Sequence, residues 1–495
     1  MAPRILSILT AAGAGVAVAV LCLLVPAPGA AQDLGTQCTL DSYRVLSSQA
    51  GIQGLRVTRV GRPILSCPDG TRIAADSAVI YEESGLNEFI GQVRFRDPLR
   101  ELDSDRADYF EREGRLHARG SVEFRDLVQG TEMRGDTLVF LEAGALRAED
   151  QVTVQGSRPS VTFLPADAPE EDEDGVLLEP EPYHVVANRL RFEGDRYFWA
   201  DGDAELDRDD LRASADSLWF HREGGDLALT GRARLITEDT EFSGDRILLE
   251  LPGDEIRSIT VVGDGRLTTV DLELFGDEIR IRFENERIQR LVAVRAGAGE
   301  EDEEDQPGRP RPRAVAEDFF LQADSIEVLS PDERLETVHA VGRARGEMNI
   351  QDDADTDTAG ENGVPDRDWI EGDAILATFE PVPAPPNKVP EEVNGEGEAR
   401  PEYRLEQLVA TGSARTLYRT PPEDGVNAEG GADRADLRNW SMSYLLADEI
   451  EIHLLDGAVD RVEAEGTVRG LQLEPSGTRT SSDDGIVGGQ EDLDE

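Results

Sequence analysis

Apolar and polar residues alternate in short runs along this chain, and the runs recur on a fixed period. One run starts at Asp76 and places Ala78 and Ile80 on the same side. A polar stretch follows, and then Phe89, Val93 and Phe95 share a face. The next unit repeats the plan with Asp105, Ala107 and Tyr109, then Ala118, Gly120, Val122 and Phe124, while Glu123 and Arg125 point the other way. Alternation with a period of two marks half-buried strands. The pattern predicts an all-β chain.

An Asp, once an Asn, followed by apolar residues two and four places on, occurs ten times: Asp76, Asp105, Asp136, Asn188, Asp216, Asp245, Asp277, Asp324, Asp373 and Asp448. The first two spacings are 29 and 31 residues. A Gly with small or apolar neighbours marks the second half of most units, at Gly91, Gly120, Gly202, Gly231, Gly263, Gly342, Gly412 and Gly466, and Asp150 stands in its place in the third. Such a period marks stacked supersecondary units. Gly within a strand pattern signals a bend, read here as the turn of a strand between two facing sheets. A column of carboxylates cannot be buried without partners. Each Asp is therefore placed at the rim, where a strand starts, with its side chain accepting backbone N–H groups. The expected architecture is an extended stack of about ten two-strand repeats in two facing sheets. With one strand per sheet from each unit, at roughly 4.8 Å per strand, it would extend about 48 Å. A parallel β-solenoid fits a rung of about 29 residues as well.

The chain divides accordingly. Residues 1–31 read as an export leader: Arg4, an apolar run over 5–25, then small residues to Ala31. The same run could serve as an uncleaved inner-membrane anchor facing the periplasm. A first rung occupies 32–70, repeats with an acidic insertion at 165–182 fill 71–296, further repeats fill 297–470, and an acidic tail spans 471–495. Further Pro-, Gly- and acid-rich insertions lie at 298–313, 351–368, 381–400 and 421–433, with the composition of solvated loops. Cys38 and Cys67 lie 29 residues apart. In an exported protein they form either a disulfide or two free thiols.

Charge narrows the function. With 50 basic and 103 acidic residues the net charge is −53. Nucleic-acid binding needs clustered Lys and Arg, so no nucleic-acid partner is expected. Five scattered His offer no metal-ligand spacing. Asp353, Asp355 and Asp357 start like a calcium loop, but Thr358 and Val364 stand where Gly and Glu are required. No nucleophile elbow or phosphate-binding loop occurs. Neither catalysis nor a cofactor is expected.

The units resemble the organic-solvent-tolerance (OstA-like) repeat of periplasmic lipopolysaccharide-transport proteins of the LptA-like kind. The resemblance is carried by Ala75-Asp76-Ser77-Ala78-Val79-Ile80-Tyr81 with Gly91-Gln92-Val93, and by Asp105-Arg106-Ala107-Asp108-Tyr109 with Gly120-Ser121-Val122. Later copies include Ala215-Asp216-Ser217-Leu218 and Ala447-Asp448-Glu449-Ile450 with Gly466-Thr467-Val468. The resemblance implies a periplasmic, extended open β-jellyroll whose apolar interior receives acyl chains of lipopolysaccharide or a related lipid. On that reading Val93, Phe95, Val122, Phe124, Val152 and Val154 line one wall. Ile80, Tyr109, Phe140, Phe192 and Phe220 line the opposite one. A closed sandwich needs the same residues, so a non-catalytic envelope-assembly scaffold is the alternative. Open strand edges at both ends predict edge-strand pairing with other jellyroll components of a transenvelope bridge, or an end-to-end oligomer.

Overall fold

The computed structural model describes residues 38–474, except 51–55, 69, 145–146, 165–180, 209–210, 238–239, 270–271, 285–286, 296–310, 317–318, 331–334, 349–366, 382–402, 421–440 and 456–457. The proposed leader, the tail beyond residue 474 and most of each acidic insertion lie outside the described residues, whereas the first residues assigned to the tail belong to the strand Arg469–Leu473. Thirty described strands are hydrogen-bonded into one sheet. Every pairing is antiparallel. The β-jellyroll is therefore the fold, and the parallel solenoid is excluded, because a solenoid stacks its rungs in parallel.

The sheet is folded along its middle into two facing layers. Long strands such as Leu86–Arg96, Arg100–Phe110 and Arg115–Asp126 cross the fold, with one half in each layer. Register slips by one residue at each crossing, for example between Asp103 and Arg106 against Arg119 and Glu123. Elsewhere the chain breaks at the corner into two short strands, as with Gln151–Gln155 and Ser160–Phe163, which pair with opposite halves of Thr131–Leu141. Fourteen strands cross and sixteen stay in a single layer, so each layer holds twenty-two rungs. Each repeat adds two rungs to a layer, where one was expected, because both of its strands traverse the corner. At roughly 4.8 Å per rung the ladder runs about 100 Å along its contour, twice the sequence-based length.

The corner explains the two anchor columns. Gly91 has φ +78°, and a Cβ built there would lie 2.5 Å from Oδ2 of Asp76. An L side chain is strained at that φ, and the Asp occupies its space. The same juxtaposition recurs at Gly120 with Asp105, Gly156 with Asp136, Gly202 with Asn188, Gly231 with Asp216, Gly263 with Asp245, Gly342 with Asp324, Gly412 with Asp373 and Gly466 with Asp448. The Gly therefore marks the turn between layers, as expected. A strand starts directly after Asp76, Asn188 and Asp324, as expected, but the other seven lie inside a strand. The Asp sits at the same corner and is exposed at eight of ten positions. Its carboxylate accepts the expected backbone bonds at Asp136, from Ser157 N–H at 2.7 Å, and at Asp448, from Thr467 N–H at 3.1 Å. The third corner is Gly156, not Asp150.

Between the layers runs one apolar core, from Leu65 to Ile452. Outward positions carry cross-strand ion pairs such as Arg234–Glu241 at 2.8 Å and Arg266–Glu273 at 2.7 Å. Glu123 and Arg125 lie on this outer face, Arg125 reaching Glu101 and Glu132 at 3.5 Å.

Candidate functional site

Among the described residues the connections between the layers run through the Asp–Gly corner. Among the described residues the opposite edge consists of hairpin turns and loops, and the two layers meet there without a covalent link. We call this edge the mouth. The described residues flanking 165–180, 349–366, 382–402 and 421–440 all lie at mouth ends of strands.

Every residue expected to line the interior lies on an inward-facing position. Val93, Val122, Phe124, Phe140, Val152, Val154, Phe192 and Phe220 are buried, whereas Ile80, Phe95 and Tyr109 are half-buried. The walls differ from expectation in one respect. Val152 and Val154 pair with Phe140 and Leu138 on one side and with Phe192 and Leu190 on the other. They therefore belong to the same layer as Phe140 and Phe192 and do not face them. The cause is the displaced third corner: the strand Gln151–Gln155 starts at the mouth beside Asp150 and reaches the corner only at Gly156.

Midway along the first half an aromatic cluster ties the layers together. Phe163 and Tyr183 of one layer stack at 5.3 Å between centroids. Phe163 meets Phe192, Phe198 and Phe220 of the other layer at 6.0, 5.4 and 6.3 Å. Sequence reading found Phe192 and Phe220 but missed Phe163, Tyr183 and Phe198. The signal available for Phe198 was its place as the cross-strand partner of both Phe192 and Phe220. Arg222 spans the mouth above the cluster. It donates to the Leu164 carbonyl at 3.0 Å and to Gln129 Oε1 at 3.2 Å, both in the layer opposite its own strand, and its guanidinium lies 5.2 Å above the Phe163 ring.

Beside this cluster the mouth opens into a cleft of about 470 Å³, within the range of small-molecule sites, about 300–1,000 Å³. Its floor is built from two cross-strand rows, Phe124 with Met133 in one layer and Phe140, Val152 and Phe192 in the other. Its rim carries Arg100, Asp126, Gln129, Glu149, Asp150, Asp195 and Arg196. Arg100 pairs with Asp150 across the mouth, with its guanidinium 4.7 Å above the Phe140 ring. Asp150 also accepts the Ala143 N–H at 2.6 Å. Arg196 pairs with Glu149, and that hydrogen bond, followed by the charge itself, raises the Arg196 pKa above its ordinary value.

The Cys38 and Cys67 sulfurs are bonded, closing the first rung beside the Thr39–Ser66 pair. Among the described residues no group of His, Cys, Asp and Glu has the geometry to hold a metal ion. No described helix is long and apolar enough to cross a membrane.

No protein-family model matches the chain. No curated protein matches it either. The likeness to the organic-solvent-tolerance repeat therefore rests on the motif residues themselves. Among solved structures the chain is similar to LptH, the LptA-homologous periplasmic component of the lipopolysaccharide transport device of Pseudomonas aeruginosa. Identity is 14%, the match covers 44% of this chain and 94% of that one, and the TM-score is 0.18. At that score the likeness carries no argument about ligand or partner, and the fold stands on the strand pairing described above.

Proposed function

We propose that this protein is a non-catalytic carrier that shelters acyl chains of lipopolysaccharide or a related lipid between its two layers and conveys them across the periplasm toward the outer membrane. One observation carries this reading: a single apolar interior extends from Leu65 to Ile452, and among the described residues the walls around it are joined along one edge only. Burying a tail there would gain about 0.8 kcal/mol per methylene, and parting the mouth breaks no strand pairing. The motif resemblance supports the class of lipid and the periplasmic location. Lipid analysis of natively purified full-length protein tests it. Stoichiometric acylated lipid is the expected result, and protein free of lipid contradicts it.

A closed assembly scaffold is the second reading, favoured by the aromatic cluster that fills the interior from wall to wall. It predicts protein partners in place of lipid.

The ends suit partners under either reading. Among the described residues Val45–Ala50 and Thr39–Ser42 each pair on one side only, as do Ala458–Glu465 and Arg469–Leu473 at the other end. Val45, Leu46, Leu471 and Leu473 are exposed there. Unpaired edges with apolar side chains are templates for strand addition, which is how we propose it joins other jellyrolls or a second copy.

A further inference from the structure

The cleft beside the aromatic cluster differs in chemistry from most of the described interior. Elsewhere the inward positions are largely apolar. Here an apolar floor meets a rim with both signs of charge. The Thr131 side chain also lines the cleft, is 2% exposed, and its hydroxyl has no hydrogen-bond partner among the described residues. Leaving a buried hydroxyl unpaired is costly, so a cleft lined by one favours a ligand that brings a polar group to it.

The rim charges select the head group. Two guanidiniums, Arg100 and Arg196, stand among four carboxylates, Asp126, Glu149, Asp150 and Asp195. Arginine forks match phosphate oxygens, and carboxylates match an ammonium. A head group that is only negative would meet the surplus of carboxylates and the field of a chain carrying −53. One that carries a phosphate and an ammonium satisfies both sets.

We propose that this cleft is a side port that takes one acyl chain of a zwitterionic phospholipid. The tail lies over Phe124 and Phe140, the phosphate exchanges onto Arg100 and Arg196, and the ammonium takes the carboxylates Asp150 and Glu149 that they release. Because the Arg100–Asp150 pair crosses the mouth, loading the head group also unties the two lips at that point. The inference rests on the lipid-carrier reading and narrows the ligand at this one place.

The test is calorimetric titration of the full chain with monoacyl phosphatidylethanolamine, and separately with monoacyl phosphatidylglycerol of the same tail, both below micelle formation. One equivalent of the ethanolamine lipid should bind, about ten-fold or more tighter than the glycerol lipid, as like-charge rejection would give. Ala143 is exposed on the rim, so Ala143→Trp fills the cleft without altering the core and should weaken binding about ten-fold. Asp195→Lys, also on the exposed rim, should bring the two affinities together. Equal binding of both lipids by the unaltered protein, or unchanged ethanolamine-lipid binding by Ala143→Trp, would overturn the port. Photocrosslinking from Val261, buried in the core away from the cleft, reports the carrier reading separately. Lipid adducts there, together with an inert Ala143→Trp, sink the port alone. Cleft binding without adducts at Val261 sinks long-range carriage alone.

Discussion

The Asp76 side chain fills the space where a Cβ on Gly91 would be, 2.5 Å from its Oδ2, while the Asp76 N–H donates to the Gly91 carbonyl at 2.8 Å. Two residues fifteen apart thus form one joint, and eight equivalent joints recur along the corner. Gly91→Ala should cost about 2 kcal/mol, the scale of a residue held at positive φ, plus the clash. Asp76→Ala in the same chain should recover the clash but not the φ strain. Hydrogen exchange at the Asp76 amide should show the single change as faster exchange and the double change as a partial return. Unaltered exchange in Gly91→Ala would contradict the joint.

Phe163 holds the layers together through three rings of the opposite wall. Truncating a buried aromatic costs about 3–5 kcal/mol. In an array whose stability is largely local, Phe163→Ala should therefore loosen Tyr197–Arg208 and leave Thr337–Met348 unchanged in hydrogen exchange. Under the carrier reading the same variant should take up more of an apolar fluorescent probe. A closed scaffold would also lose protection, but its array would gain no site that runs beyond the lost ring.

Asp368 is a buried inward carboxylate. Burial raises its pKa above the ordinary 3.8, opposed by the Arg419 charge and backbone N–H. Its protonated form therefore binds its proton more tightly folded than unfolded. The sign follows: its stabilising contribution is fully present below about pH 3.8 and is lost as pH rises through the raised folded value. Exchange protection of Asp368–Pro381, corrected for intrinsic rates, should fall as pH climbs through that window. In Asp368→Asn the dependence should vanish.

The Cys38–Cys67 bond closes the N-terminal rung. On the loop-entropy view it contributes about 3 kcal/mol. Replacing both with Ser should expose Arg72–Ala74 to faster exchange, while the distant strand Asp226–Thr237 keeps its protection. Uniform loss across the chain would show instead that the array unfolds as one unit.

Much of this architecture could be read from side-chain alternation. Val93, Val122 and Phe124 face inward as their parity says, and the Gly column marks the turn between layers. The Asp column misled because parity does not survive the corner. Leu102 and Ser104 face inward before Asp105, but Ala107 and Tyr109 do so after it, so one position is skipped where no residue type signals it. Asp105 then counts as inward although it is exposed. The same skip hid that each strand serves both layers, which halved the expected length. Phe163 and Tyr183 are hairpin neighbours, Phe163 pairing with Tyr183, but the acidic segment 165–182 separates them in sequence. Asp150 copied the position of a corner Gly, whereas the true corner, Gly156, lies six residues on. The ion pairs at the mouth, between residues up to 50 apart in the chain, leave no trace in a one-dimensional pattern.

The central claim is that the inward parity forms a lipid-holding surface. Photocrosslinking in cells tests it most directly, with the probe placed in turn at Phe124 and Val154, which face inward, and at Glu123 and Thr153, their outward neighbours. Lipid adducts at Phe124 and Val154 and none at Glu123 or Thr153 are the predicted result. No adduct at either inward position, or equal adducts on both faces, would contradict it.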